Sequence, residues 1–261
     1  MTLTPFPLLL AALCAAVWPV WRWFVVNSVD GSNDAAGLLA ALCAIVMVWR
    51  SPAATPITRP LLLPALLLTA YALAAASAMA PAILALLAAL ALAALASSWR
   101  LGRRMDAALV GLCVLALPLA ASLQFYGGYP LRIAAGRLAV ALLRMNGLGV
   151  VREGAMLLWN GQQIAIDAPC SGVKMLWAGL FLACALAGSY RLNAGRTLAA
   201  LGLATGVIVL ANAVRAAALF YTEAGLIDMP PFAHQGSGMV CFAGGAGAIF
   251  AGVRALRREA A

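Results

Sequence analysis

Residues 61–98 read LLLPALLLTAYALAAASAMAPAILALLAALALAALASS, a stretch without one charged side chain. A helix that crosses a membrane needs about 20 mostly apolar residues, and an uncharged run of about 18 is already a candidate. The stretch is long enough for two such helices, at 60–77 and 81–98, with Pro81 and the small residues before it marking the turn between them. Working outward, the same reading predicts further spans at 7–26, 35–50, 107–126, 172–190, 197–221 and 236–253, about eight in all. The whole chain agrees: of 261 residues 65% are hydrophobic and 10% charged, against roughly 45–50% and about 25% in soluble domains. That composition excludes a soluble enzyme, a disordered tail and a disulfide-stapled small domain. The expected fold class is an all-α polytopic membrane protein, about eight transmembrane helices with an outer-face amphipathic helix and a short β-hairpin.

The formal charge of +9 would suggest nucleic acid in a soluble chain, but here it tracks the loops. Arg50 and Arg59, then Arg100, Arg103 and Arg104, then Arg191 and Arg196, and finally Arg254, Arg257 and Arg258 fall on one side of an eight-span layout. By the positive-inside rule that side is cytoplasmic and holds both termini. Asp30, Asp34, Glu153, Asp167, Glu223 and Asp228 fall on the other side. The first span lacks a basic leader and contains Arg22, so it reads as a retained helix rather than a cleaved signal. No nucleic-acid partner is implied; membrane lipids are, and oligomeric state is not legible.

The chain is expected to form a single integral membrane domain: 1–126 with five spans, 127–169 on the outer face, and 170–261 with three spans. Within 127–169, residues 129–146 read as an amphipathic surface helix ended by Gly147 and Gly149. Its Arg132, Arg137 and Arg144 suit lipid headgroups or an acidic part of a substrate. The Asn160-Gly161 pair, between Met156–Trp159 and 163–166, is a hairpin signal, because both central turn positions require positive φ.

Cys14, Cys43, Cys113, Cys184 and Cys241 lie in apolar runs, where a thiol behaves as a small hydrophobe. No CxxC or metal-ligand spacing occurs, so neither a metal site nor a cofactor is expected. Cys170 differs, lying at a loop-to-helix junction with Pro169 suited to a first helical turn and Asp167 to a cap. A helix N-terminus and Lys174 nearby would favour its thiolate, and Gly172 would let a substrate strand approach. An ordinary helix start with an incidental cysteine is the alternative, as is a snorkelling role for Lys174.

Arg215 stands in the apolar run 210–219, where an arginine at the span centre costs about 2.5–3.5 kcal/mol. Asn212, three residues earlier, shares its helix face. His234, the only histidine, falls in the loop before the last span. Separately each has a plain reading, a snorkelling arginine or an interfacial histidine. Together they divide an acyl-transfer reaction: Cys170 attacks a peptide carbonyl, His234 handles protons, and Arg215 donates to the oxyanion or orients the substrate. A transporter or channel using Arg215 as an intramembrane substrate-binding charge is the main alternative, and a structural subunit another.

Ala168-Pro169-Cys170-Ser171-Gly172, Asn212-Ala213-Val214-Arg215, and His234 followed by Gly236 and Gly238 resemble the three motif blocks of the exosortase/archaeosortase family, and the many-span layout is similar too. The resemblance implies a multi-pass cysteine transpeptidase of the bacterial inner membrane or archaeal membrane. Its active site would face the periplasm or exterior, with Cys170, Arg215 and His234 as catalytic residues and Asn212, Ser171, Gly172 and Lys174 supporting or positioning substrate. It also implies the substrates: membrane-anchored proteins bearing a C-terminal motif, a transmembrane helix and a basic tail, called PEP-CTERM in bacteria.

Overall fold

The computed structural model describes residues 5–29, 36–52, 54–165, 171–228, 230 and 233–258. Among them the chain forms helices α1 (Phe6–Ala16), α2 (Trp18–Val29), α3 (Ala36–Arg50), α4 (Leu62–Ala76), α5 (Pro81–Arg100), α6 (Ala107–Ala116) and α7 (Ala120–Met145). Strands β1 (Val151–Glu153), β2 (Met156–Trp159) and β3 (Gln162–Ala165) follow, then α8 (Val173–Ser189), α9 (Ala194–Glu223) and α10 (Ala233–Arg258).

All eight expected span positions carry apolar helix, but their lengths differ. Within the described residues, Pro81–Arg100, Ala194–Glu223 and Gly236–Arg258 are each long and apolar enough to cross a membrane, 3 in all. The count rises to 5 if α1 with α2, bent by 71° between them, and α6 with α7 each form one broken span. The remaining apolar helices α3, α4 and α8 have 15, 15 and 17 residues.

The expected span 107–126 and the separate surface helix 129–146 are corrected. Helix α6 stops at Ala116 because Pro118 disfavours the helical region for its predecessor, and Leu117 is extended with φ −67° and ψ 141°. A new helix then runs unbroken from Ala120 to Met145 through Pro130. It joins the end of the expected span to the amphipathic segment. The amphipathic stripe itself is present: Ala135, Gly136, Ala139, Val140 and Leu143 are buried, at the spacing of one helix face.

The described chain divides into two compact units, Met1–Ala120 with Cys184–Leu198, and Ala121–Ala183 with Ala199–Ala261. In the first, α5 is the hub. Ala85 and Ala88 of α5 are buried with Val17, Val20 and Tyr71 in one cluster, and Ala91 and Leu95 with Leu13 in another. Small side chains let the neighbouring helices approach closely. A polar knot closes one end of this unit. Asp106 caps α6 by accepting from Leu109 N–H at 3.0 Å and pairs with Arg103 at 2.8 Å. Arg103 also donates to the carbonyls of Leu192, at 2.8 Å, and Arg191, at 3.0 Å.

The second unit contains the sheet, ordered β1-β2-β3 and antiparallel throughout. The expected hairpin is β2 with β3, turning at Asn160 (φ 48°) and Gly161 (φ 78°), the paired positive angles of a type I′ turn. Strand β1 was not expected; Gly154, at φ 57°, makes its turn into β2. Leu157 faces Ile164 across the ladder. Both are buried with Ala139, Val140 and Leu143 of α7 and Ala217, Leu219 and Phe220 of α9. Trp159 meets Phe220 edge to face at 5.9 Å between ring centroids. The sheet is thereby fastened to the C-terminal turns of α9.

Candidate active site

Helix α9 is the spine of the site. Asn212 and Arg215 stand one turn apart on it, and each meets a glycine of a different segment. Asn212, only 3% exposed, packs on Gly172: a Cβ added there would lie 2.8 Å from Asn212 Cγ and Nδ2. Gly172 also has φ +82°, a conformation that costs an L side chain roughly 1–2 kcal/mol. Only glycine satisfies both conditions without displacement.

Helix α8 starts immediately after this turn, at Val173. Ser171 is buried, 2% exposed, and its hydroxyl is used twice. It accepts from Val173 N–H at 3.4 Å and donates to Gln124 Oε1 on α7 at 3.0 Å. The helix begins at Val173, whose N–H is met by the Ser171 hydroxyl. Asp167, Pro169 and Cys170 themselves lie outside the described residues. Lys174 is exposed in the first turn of α8.

Arg215 faces α10. A Cβ added at Gly238 would lie 3.3 Å from Arg215 Cζ and Nε, so the guanidinium occupies space that a side chain at 238 would crowd. Its Nε is buried and has no hydrogen-bond partner among the described residues. A buried donor left unpaired costs about 1–3 kcal/mol. His234 is in the first turn of α10, four residues before Gly238. One helical turn is 3.6 residues with a 5.4 Å pitch. Position 234 therefore lies one turn along the backbone face that meets Arg215.

Helix α9, which carries Asn212 and Arg215, thus meets Gly172 of one expected motif block and Gly238 of another. The sequence reading missed Gln124, whose partner lies far along the chain and leaves no local pattern. Of the expected lipid-facing arginines, Arg144 donates its Nε to Val150 C=O at 2.9 Å, tying α7 to the strand that follows. Arg132 lies over the Tyr129 ring at 5.8 Å. Within the described residues no group of His, Cys, Asp and Glu is suited to hold a metal ion.

The model of one protein family, described as transmembrane exosortase, matches residues 23–251. No curated protein and no solved structure gives a significant match.

Proposed function

The chain belongs to the transmembrane exosortase family, and from that membership we propose that it is a membrane cysteine transpeptidase. It cleaves the C-terminal sorting signal of membrane-anchored proteins through a thioester at the outer face of the membrane. One observation carries the residue assignment. Helix α9 seats Asn212 on Gly172, two residues after Cys170, and Arg215 on Gly238, one turn after His234.

In the reaction the Cys170 thiolate adds to the scissile carbonyl, and the negative charge passes to its oxygen. The unspent donor of Arg215 supports that oxyanion, as charge develops where a preorganised donor already stands. His234 gives a proton to the departing amine, the carbon–nitrogen bond breaks, and the acyl group remains on sulfur. His234 then takes the proton of the incoming nucleophile, an acceptor amine or water, as the thioester bond breaks and the thiolate returns. A substrate held by its own helix arrives already confined to the membrane plane, so positioning supplies much of the rate gain. The sheet, packed on the last turns of α9, is suited to cap the site and limit hydrolysis.

In this reading the eight apolar helical segments are eight spans in a bacterial inner or archaeal membrane, both termini are cytoplasmic, and the two broken pairs each count once. The three short helices cross by local bilayer thinning and snorkelling ends. The test is coexpression with a tagged reporter ending in a Pro-Glu-Pro motif, a transmembrane helix and an arginine tail. Cleavage is expected with the native chain and lost with Cys170→Ala, Arg215→Ala and His234→Ala at equal membrane levels. Normal cleavage by Cys170→Ala would overturn the proposal.

A further inference from the structure

The hydrogen bond between Ser171 and Gln124 has no part in the chemistry above, and it joins the residue next to Cys170 to a helix that carries none of the motif blocks. Gln124 lies in the first turns of α7. Its amide lies over Gly128 one turn on, where an added Cβ would be 2.9 Å from Gln124 Nε2. The absent side chain at 128 thus lets the amide lie back along its own helix, and Oε1 receives the Ser171 hydroxyl at 3.0 Å. With its proton given to Gln124, the hydroxyl keeps its lone pairs for Val173 N–H. Gly172, the next residue, packs against Asn212 of α9. The two residues that follow Cys170 are therefore pinned from α7, from α9 and by the start of α8 at once.

We propose that Gln124 is a positioning residue of the transpeptidase: through Ser171 it anchors the chain immediately after Cys170 and so bears on the thiol's line of attack. The inference rests on the cysteine-nucleophile reading given above. A displacement of about 1 Å at a reacting centre can cost about 100-fold in rate, so a bond that anchors the adjacent residue has leverage on catalysis without touching substrate.

The test uses the full-length enzyme in membranes with the Pro-Glu-Pro reporter, cleavage being scaled to the amount of folded enzyme. Q124L removes the acceptor while keeping the side chain's bulk, and S171A removes the donor. Each is expected to slow cleavage about tenfold. The double variant is expected to be no slower than the worse single one, because both break one link. Q124E retains an oxygen acceptor and is expected to recover cleavage to within about threefold of the native rate. A purely structural role would lower the amount of folded enzyme and leave the scaled rate unchanged. Should Q124L not accumulate, Q124N, which withdraws the amide by one methylene, takes its place with the same outcomes. Native scaled rates in Q124L or S171A, or singles whose effects multiply in the double, would overturn the role of Gln124. Cleavage that survives Cys170→Ala would instead overturn the nucleophile reading, so the two failures are distinct.

Discussion

Gly238 leaves room for the Arg215 guanidinium: a Cβ at position 238 would stand 3.3 Å from both Cζ and Nε of the arginine. That separation is tighter than ordinary van der Waals contact, and the arginine is the partner able to yield. Gly238→Ala is therefore expected to push the guanidinium back by a few tenths of an ångström and to reduce reporter cleavage about tenfold. Gly238→Leu should reduce it about 100-fold. Membrane levels should stay near native for both, and cleavage scaled to enzyme amount is the measurement.

Gly172→Ala meets a harder obstacle. The positive φ of +82° and the Asn212 amide at 2.8 Å act together, so backbone strain of about 1–2 kcal/mol adds to displacement of a buried side chain. Loss of cleavage is expected, with a lowered melting midpoint in detergent. Gly172→Ala combined with Asn212→Ala should recover part of the midpoint, because the second change removes the obstructing amide.

For Arg215, charge alone should not suffice. Arg215→Lys keeps the positive charge and loses the planar fork and the buried Nε donor, which has no hydrogen-bond partner among the described residues. Cleavage is expected to fall by about 10²–10³, the usual cost of one oxyanion donor, and nearly as far as in Arg215→Ala. Native activity in Arg215→Lys would reduce the residue to a point charge.

Phe220 and Leu157, each 1% exposed, hold the sheet on α9. Phe220→Ala should cost about 3–5 kcal/mol and Leu157→Ala about 2–5 kcal/mol. Denaturation in detergent followed by tryptophan fluorescence checks both, since Trp159 packs against Phe220.

Asp106→Ala serves as the contrast. It removes the cap on Leu109 N–H and the partner of Arg103, and about 1–3 kcal/mol of stability should go with them. Cleavage scaled to folded enzyme should remain native, because this knot lies in the other compact unit.

The parts of this structure that were legible in the sequence are those written locally. Asn160-Gly161 announced its own turn because two successive positive φ angles demand such residues. The apolar runs announced their helices because charge is so scarce. Strand β1 was not legible, since Val151-Arg152-Glu153 is too short for a period-2 pattern to stand out. The expected break before α7's second half rests on Gly127 and Gly128, helix breakers by propensity, whereas the helix runs through both, with Gly128 buried. In the site, Asn212 and Arg215 were legible from one-turn spacing. The lack of bulk at Gly172 is legible too, but the sequence offers that space to a substrate strand, whereas in the structure the buried Asn212 side chain packs there, as Arg215 does at Gly238. Gln124 depends on a contact across 47 residues, which no local pattern encodes.

Helix α9 has 30 residues, which at 1.5 Å each is about 45 Å, half as long again as the roughly 30 Å hydrocarbon layer. Arg196, near its first turn, suits a headgroup boundary, so an upright helix carries its surplus of about 15 Å at the far end. Arg215 lies about 12 Å below that end, counted at 1.5 Å per residue from Glu223. In the proposed topology the guanidinium then meets the polar border of the lipid rather than its middle. The roughly 2.5–3.5 kcal/mol that the charge would cost at the centre of the bilayer is largely spared there, and the proposed substrate's peptide bond, just clear of the lipid, would be at its height.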